Sequence, residues 1–400
     1  MNEAHVRGAA PARPLQIFLV AGEKSGDELG AGLMRAISLQ SRGEARFSGV
    51  GGEAMKAAGL ASLFAMTDIA VMGFLPVIAR LPTLLRRIRQ TAAAIVAARP
   101  DVLVIIDSPD FTHRVARRVR ARVRSLPIVD YVSPTVWAWR PGRAKAMRAF
   151  IDELLALLPF EPEAHRRLGG PACFYVGHPL IERLAELRAS DAEAVAREAQ
   201  TPSVVVLPGS RHSEIDRLMP VFGETIARIA EEFGEIDFVL PAVAHVEAAI
   251  RAHVQRWAVQ PRIVSGEAAK YGAFRTARAA LAASGTVTLE LALSHVPMVV
   301  GYAVSAVEAV LIRRLATAHS VVLANLVLGE NIVPEFLQEA CVADRLAPAL
   351  AAVLRAGEAR DAQLRAFSRL DQLMRLPEGE TPSSLAAKRV LAIARGKPAD

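Results

Sequence analysis

Residues 102–111 read VLVIIDSPDF, and this stretch decides the fold class. Its first five residues are all apolar, and a short uninterrupted apolar run is typical of a parallel strand that helices cover on both faces. On either side of it, strand-length apolar runs alternate with longer amphipathic stretches, which is the pattern of consecutive strand–helix units. The chain is therefore predicted to have an α/β fold with parallel sheets.

The predicted strands fall into two series. The first contains residues 16–20, 102–106, 127–132 and 173–176, and the second contains residues 203–207, 237–240, 262–264, 279–283 and 298–302. An alanine- and charge-rich connector separates the two series, and the chain beyond residue 341 is patterned as helix alone. We expect two Rossmann-like domains, at residues 1–182 and 183–343, followed by a helical tail at residues 344–400.

Composition narrows the class of protein. A chain of 400 residues with 52% hydrophobic and 22% charged residues is typical of packed domains, and two cysteines are too few for a disulfide framework. The net charge of +7 favours anionic partners such as phosphorylated metabolites or an acidic lipid surface, whereas 5% aromatic residues argue against nucleic acid. No apolar run reaches the roughly 20 residues of a membrane span. We expect a cytoplasmic protein, soluble or peripheral.

The carboxyl ends of the strands carry the candidate site residues, because ligands bind there in open parallel sheets. Asp107 follows the apolar run directly, and a carboxylate at the edge of an apolar sheet can act as a general base. Asp110 is the nearby rival. On the residues alone, a cap of the following helix through an Asx turn remains the alternative for Asp107.

A glycine-rich turn, AGEKSGD at residues 21–27, joins the first predicted strand to a predicted helix. Free amides at a helix start bind anions, so the turn is a candidate anion site. Its residue order matches neither a P-loop nor a dinucleotide fingerprint. The alternative is a tight turn in which Ser25 or Asp27 caps the helix.

Two further strand–turn–helix junctions lie in the second series. The turn PGSR ends in Arg211 and suits a diphosphate. The turn ASGT supplies Ser284, Gly285 and Thr286, and Glu290 lies one helical turn further on the same face. Amides and hydroxyls for phosphate, with a carboxylate for ribose hydroxyls, predict a nucleotide-sugar site. Without Asp-x-Asp or histidines at ligand spacing, we expect no metal and no other cofactor.

Residues 69–89, IAVMGFLPVIARLPTLLRRIR, combine dense apolar residues with arginines. An apolar face bordered by arginines is the composition of an interfacial membrane-binding segment or an acyl-chain site. Burial in an ordinary helix pair is the alternative. The candidate membrane or acyl contacts are Phe74, Leu75, Val77, Ile78 and Leu81.

Several motifs follow one another over most of the chain. They are AGEKSGDELGAGLM, FSGVGGEAM, VMGFLPV, IDSPDF, YVSPTVWAW, LPFEP, VGHPL, LPGSR, ASGTVTLELAL, PMVVGY and NLVLGENIVPEFLQE. In this order they resemble the lipid-A-disaccharide synthases. The resemblance implies an inverting glycosyltransferase of GT-B architecture, in which two Rossmann-like domains face each other across a cleft and C-terminal helices cross back to the first domain.

The resemblance also implies a reaction and its place. UDP-2,3-diacylglucosamine and 2,3-diacylglucosamine 1-phosphate would condense to a β-1,6-linked disaccharide 1-phosphate and UDP, in the biosynthesis of lipid A for lipopolysaccharide. The reaction would take place at the anionic inner face of the cytoplasmic membrane, without a metal, and a homodimer is compatible with the family.

The motifs also imply residue roles. Asp107 matches the base that takes the proton from the acceptor 6-hydroxyl, and Glu23, Ser25 and Asp27 match the acceptor side. The residues implied to hold UDP are Arg211, Ser284, Gly285, Thr286, Glu290, Asn325, Glu335 and Gln338.

Four positions depart from the family's usual residues. They are Thr112, Asp130, Pro76 and Ala324, where Asn, His, Glu and Pro are common. These departures concern the acceptor details rather than the reaction class. Two alternative functions stay open: a UDP-sugar epimerase on the same scaffold, which needs no acyl-binding surface, and a non-enzymatic basic peripheral membrane protein, which needs no UDP site.

Overall fold

The computed structural model describes residues 13–69, 74–198, 201–305, 309 and 319–396, with the backbone alone for residues 74–79. The chain forms two compact units. The first comprises Met1–Trp137, Pro141–Pro179 and Leu376–Asp400, and the second comprises Ala138–Arg140 and Leu180–Arg375. The chain passes from the first unit to the second between residues 179 and 180 and returns to the first between residues 375 and 376, apart from the short excursion at residues 138–140.

The first unit is built on a six-stranded sheet. Its elements are β1 Leu15–Ala21, α1 Lys24–Gln40, β2 Ala45–Val50, α2 Glu53–Ala57, α3 Phe74–Ala98, β3 Val102–Ile106, α4 Pro109–Arg120, β4 Ile128–Tyr131, α5 Gly142–Met147, β5 Glu153–Ala156, α6 Glu161–Arg167 and β6 Ala172–Tyr175. The strands lie in the order β2-β1-β3-β4-β5-β6, and every pairing is parallel.

Strand β3 shows why helices cover both faces of this sheet. All five of its residues are fully buried. Val102, Val104 and Ile106 belong to a hydrophobic cluster that includes residues of α1, while Leu103 and Ile105 belong to a second cluster that includes residues of α4. Successive side chains of a strand point to opposite faces, so an uninterrupted apolar run serves two helical layers. The two-sided burial predicted from VLVII is confirmed.

The second unit repeats this plan. Its elements are α7 Leu184–Leu187, α8 Asp191–Arg197, β7 Ser203–Leu207, α9 His212–Phe233, β8 Asp237–Ala242, α10 Glu247–Val254, β9 Arg262–Ser265, α11 Glu267–Thr276, β10 Ala279–Ala282, α12 Val287–Leu293, β11 Met298–Tyr302, α13 Leu323–Leu328, β12 Glu335–Leu337, α14 Ala343–Leu354 and α15 Glu358–Leu373. The strands lie in the order β12-β11-β10-β7-β8-β9, all parallel.

The predicted helical tail is shared between the two units because its helices pack on different sheets. Helices α14 and α15 belong to the second unit, whereas the last helix, α16 (Pro382–Ala394), belongs to the first and packs on α1. Arg389 of α16 donates two hydrogen bonds to Glu153 of β5, at 2.7 and 2.8 Å. The return of the C-terminal helix to the first sheet agrees with the GT-B resemblance.

Candidate active site

Asp107 lies directly after β3, on a strained piece of backbone. Asp107 and Ser108 both have left-handed conformations, with φ of 54° and 46°. Such conformations cost about 1–3 kcal/mol for a residue with a side chain, and they concentrate at functional sites. Within the described residues, no N–H group of α4 donates to the Asp107 carboxylate, so this side chain does not cap the helix.

The glycine-rich turn after β1 brings two predicted residues to Asp107 and the adjacent Ser108. The Ser25 hydroxyl donates to Asp107 Oδ2 at 3.0 Å, and the Ser108 hydroxyl donates to Glu23 Oε1 at 3.0 Å. The other Asp107 oxygen, Oδ1, accepts from the Ser108 N–H at 2.7 Å. A Cβ at Gly22 would lie 2.5 Å from Ser108 Cβ, so only glycine lets the two turns approach this closely.

Asp27 takes a different position from its predicted acceptor-side neighbours. It is 4% exposed. Its carboxylate accepts hydrogen bonds from the backbone N–H groups of Gly52, Ala54 and Met55, at 2.7, 2.9 and 3.0 Å. These three bonds fix the start of α2, because the first amides of a helix have no partner within it. Asp27 therefore fixes the neighbouring β2–α2 loop, while Ser25 contacts Asp107 and Glu23 contacts Ser108.

An amphipathic cavity of about 360 Å³ opens beside this turn. Its polar wall contains Glu23, Ser108, Asp110 and Arg114, and its apolar wall contains Ile69, Leu81, Leu84, Leu85, Ile88 and Phe111. Leu81 is 45% exposed, whereas Ile88, two turns further along α3, is 3% exposed. Burial in the core therefore explains why Ile88 is apolar, but it does not explain why Leu81 is apolar.

The other predicted membrane or acyl contacts cannot be placed. The side chains of Phe74, Leu75, Val77 and Ile78 lie outside the described residues. Over the described parts of the chain, no helix combines the length and the apolarity that crossing a membrane requires.

A buried polar pair that the sequence motifs do not indicate lies next to the Asp107 turn. Oδ2 of Asp130, on β4, lies 2.8 Å from Nε2 of His113, on α4, which is a hydrogen-bond distance. Both side chains are at most 3% exposed. Burial raises the pKa of Asp130, while His113 acts against that rise. The sequence signal was an acidic residue inside an apolar strand run, but its partner on the helix could be identified only from the fold.

A second buried network of hydrogen bonds, centred on Glu161, holds the loop that contains the motif YVSPTVW. Glu161 accepts hydrogen bonds from Trp137 Nε1 at 3.1 Å and from the backbone N–H of Leu158 at 2.9 Å. Burial raises the pKa of Glu161 to about 7, although these hydrogen bonds oppose the rise. His165 is fully buried 2.9 Å from the Ser133 hydroxyl, and burial lowers its pKa to about 4. Trp137 is thus an anchor of the loop.

The second unit contains a cavity of about 330 Å³ at the carboxyl ends of its strands. Five predicted donor residues line it together: Arg211, Ser284, Gly285, Thr286 and Glu290. They come from the β7–α9 turn and from the junction of β10 with α12, which are far apart in sequence. The structure therefore brings the two predicted anion-binding turns into one cavity, here called the donor cavity.

The buried carboxylate of Glu214 fixes the β7–α9 turn through hydrogen bonds. Glu214 is 7% exposed and accepts from the backbone N–H of Ser210 at 2.9 Å, from the Tyr302 hydroxyl at 3.2 Å and from Arg211 Nη1 at 2.8 Å. A Cβ at Gly209, whose φ is 112°, would lie 2.5 Å from Glu214 Oε2. The Arg211 side chain remains 65% exposed, so it is free to turn towards a ligand.

Three predicted donor residues, Asn325, Glu335 and Gln338, do not line the donor cavity as the structure describes it. Asn325 is fully buried, and its amide donates to the Val333 carbonyl at 2.9 Å while its oxygen accepts from the Val333 N–H.

Glu335 and Gln338 are likewise engaged with backbone. Glu335 Oε2 accepts from the Val321 N–H at 2.9 Å, and Gln338 Oε1 accepts from the Val304 N–H at 3.4 Å. The Ser284 hydroxyl donates to the Val321 carbonyl at 2.7 Å. Glu335 therefore holds the backbone at Val321, which in turn accepts the hydrogen bond from Ser284. Glu335 itself does not line the cavity.

Lys270 is a further residue of this cavity that the sequence motifs do not indicate. Lys270 lines the donor cavity, and its Nζ lies 2.8 Å from Glu290 Oε2. It belongs to none of the recognised motifs, since it lies on α11, remote in sequence from both turns.

Comparisons with known proteins extend over nearly the whole chain. The profile of a family described as lipid-A-disaccharide synthetase matches residues 17–388. A lipid-A-disaccharide synthase of Rhodopseudomonas palustris strain HaA2 is 57% identical over 380 residues, which are 95% of this chain and 96% of that protein. One from Nitrobacter hamburgensis is 56% identical, over 96% of this chain and 97% of that protein.

Solved structures share the fold at low identity. The glycosyltransferase of kitacinnamycin has a TM-score of 0.62 at 17% identity, covering 97% of this chain and 100% of that one. The UDP-GlcNAc 2-epimerase of Neisseria meningitidis, bound to UDP-GlcNAc, has a TM-score of 0.55 at 11% identity, covering 96% and 100%. At these identities the likeness shows the architecture alone.

Proposed function

The chain belongs to the lipid-A-disaccharide synthase family, and from this premise we propose how its two units divide one glycosyl transfer. It is a glycosyltransferase of lipid A biosynthesis. The first unit binds 2,3-diacylglucosamine 1-phosphate and supplies the base. The second binds UDP-2,3-diacylglucosamine and receives the leaving UDP. The product is the β-1,6-linked disaccharide 1-phosphate.

Asp107 is the base in this proposal. It takes the proton of the acceptor 6-hydroxyl while that oxygen attacks C1 of the donor sugar and the bond from C1 to the UDP oxygen breaks. The observation that carries the assignment is the Asp107 carboxylate itself, which is held on strained backbone by Ser25 and Ser108 beside the amphipathic cavity. Each carboxylate oxygen accepts one hydrogen bond there and retains a lone pair for a substrate hydroxyl.

The donor cavity supports the departure of UDP. Arg211 and the backbone amides at the start of α12 offer positive charge to a diphosphate, and Glu290 offers an acceptor for ribose hydroxyls. Because Arg211 and these amides already offer positive charge, we propose that no divalent metal is needed.

The amphipathic cavity of the first unit matches the chemistry of an acylated sugar. Its polar wall suits a sugar with a phosphate, and its leucines suit an acyl chain. We propose that the exposed part of α3 also meets the inner face of the cytoplasmic membrane. Exposed arginines on α3 and α4 support this location, since anionic lipids attract them: Arg80, Arg86, Arg89, Arg114 and Arg117.

Replacing Leu81 by Ser tests the membrane contact. We expect binding to vesicles of phosphatidylglycerol and phosphatidylethanolamine, measured by co-sedimentation, to weaken roughly three- to tenfold, because a partly exposed leucine contributes less than the roughly 1.5–3 kcal/mol of a fully buried one. The melting temperature should barely change. Leu39→Ser, at a leucine 82% exposed on α1, is the matched control and should bind as the wild type does. A large fall in melting temperature for Leu81→Ser would place this residue in the core.

Calorimetric titration with UDP tests the donor assignment in the wild-type protein. Saturable binding of one UDP per chain is expected, and a non-enzymatic membrane protein would show none. The epimerase alternative rests on the shared architecture alone, whereas the relatives that match at high identity are disaccharide synthases.

A further inference from the structure

The proposed reaction gives no role to two charged residues of the described donor cavity, Glu214 and Lys270. Glu214 supports the β7–α9 turn, which leaves Lys270 without a function. It lies in the first turn of α11, where a cation opposes the helix dipole. Its side chain is 24% exposed, and Glu290, its partner at 2.8 Å, is 13% exposed. A partly buried cation at the unfavourable end of a helix needs a compensating anion, and in this structure Glu290 provides it.

The charges of the cavity are balanced before any ligand arrives. Its charged residues form two pairs, Arg211 with Glu214 and Lys270 with Glu290. A diphosphate brings at least two negative charges into this cavity, and one more develops on it as the sugar departs. If Arg211 were the one cation in contact with the diphosphate, the nearby carboxylates of Glu214 and Glu290 would repel the charge of the ligand. A second cation directed at the diphosphate would offset their repulsion.

The Lys270 ammonium has the hydrogen-bonding capacity for this task. An ammonium carries three N–H donors, and among the described residues Glu290 is its one hydrogen-bond acceptor. The ring of Tyr271, whose centroid lies 4.6 Å from Nζ, stabilises the charge without using a donor. Two N–H groups therefore remain for ligand oxygens while the bond to Glu290 persists.

We propose that Lys270 binds the diphosphate of the UDP-sugar directly, as a second cation beside Arg211. This inference rests on the proposed function of the donor cavity. In this arrangement Glu290 keeps Lys270 in place and accepts from the ribose, while the ammonium contacts a phosphate oxygen and stabilises the charge that forms as the bond from C1 breaks.

Comparing UDP with uridine in the Lys270→Met variant tests this contact. Because a hydrogen bond to a charged group contributes roughly 1.5–3 kcal/mol, UDP affinity measured by calorimetry should fall about tenfold or more. Uridine, which lacks phosphate, should bind as it does to the wild type when measured by saturation-transfer NMR. Lys270→Arg should recover most of the UDP affinity. Arg256→Gln, which removes one exposed positive charge outside the cavity, should change neither ligand.

Equal losses for UDP and uridine would overturn the inference, because Lys270 would then act only through Glu290. An unchanged UDP affinity would overturn it as well. The Arg211→Ala variant separates this failure from that of the proposed function. If Arg211→Ala weakens UDP binding and Lys270→Met does not, the donor cavity stands and only the role of Lys270 falls. If neither variant changes UDP binding, the donor cavity itself is misassigned.

Discussion

Replacing Asp107 by Asn should lower kcat by about 10²–10⁴, which is the usual loss when a general base is removed and corresponds to roughly 3–5 kcal/mol of barrier. Asparagine keeps the size of the side chain. Its oxygen can still accept from the Ser108 N–H while its NH2 group donates to the Ser25 hydroxyl, but it cannot take the proton of the acceptor hydroxyl. Folding and UDP affinity should therefore be retained. Initial rates of UDP release, together with a calorimetric UDP titration of the same variant, measure both expectations.

Asp110→Asn is the matched control, three residues along the same turn. Its side chain is 90% exposed and faces Arg143 at 3.2 Å, and an exposed ion pair contributes little to stability. We expect a small loss of rate through a disturbed turn. An inactive Asp110→Asn together with an active Asp107→Asn would show that the base has been assigned to the wrong carboxylate.

Replacing Arg211 by Ala should weaken UDP binding by roughly 1.5–3 kcal/mol, or about ten- to a hundredfold. The turn should survive the change, because Glu214 retains its hydrogen bonds from the Ser210 and Arg211 backbone N–H groups at 2.9 and 3.2 Å. Calorimetric titration with UDP measures the effect. Arg217→Ala is the control, since this half-buried arginine lies on the same helix outside the donor cavity and donates to the Ser213 carbonyl. An unchanged UDP affinity in Arg211→Ala would remove this residue from the site.

The main strands could be predicted because a strand that is buried on both faces consists of apolar residues. Val102–Ile106 must be apolar throughout to serve two helical layers, and the residues 204–207 of β7 show the same property in the second unit. Strands β2, β5 and β12 were missed. β2 reads ARFSGV, where polar residues and glycine resemble a turn; β5 reads ELLA, which is compatible with helix; and β12 has three residues. Their strand conformation depends on pairing with neighbours and is not visible locally.

The motifs located the candidate site residues but not the direction of their side chains. Asp27 and Asn325 lie within matching motifs, yet each uses its polar atoms on nearby backbone groups. Conversely, Lys270 and the pair of His113 with Asp130 lie on separate elements that only the sheet topology brings together. A motif gives a residue's identity, whereas a hydrogen-bond partner remote in sequence requires the fold.

The reaction itself is the decisive test of the proposed function. The protein is incubated with UDP-2,3-diacylglucosamine and 2,3-diacylglucosamine 1-phosphate, and the products are followed by mass spectrometry. We expect the disaccharide 1-phosphate and UDP in equal amounts, with neither formed when the acceptor is omitted. A donor that is isomerised without release of UDP, or a mixture that remains unchanged, would contradict the proposed function.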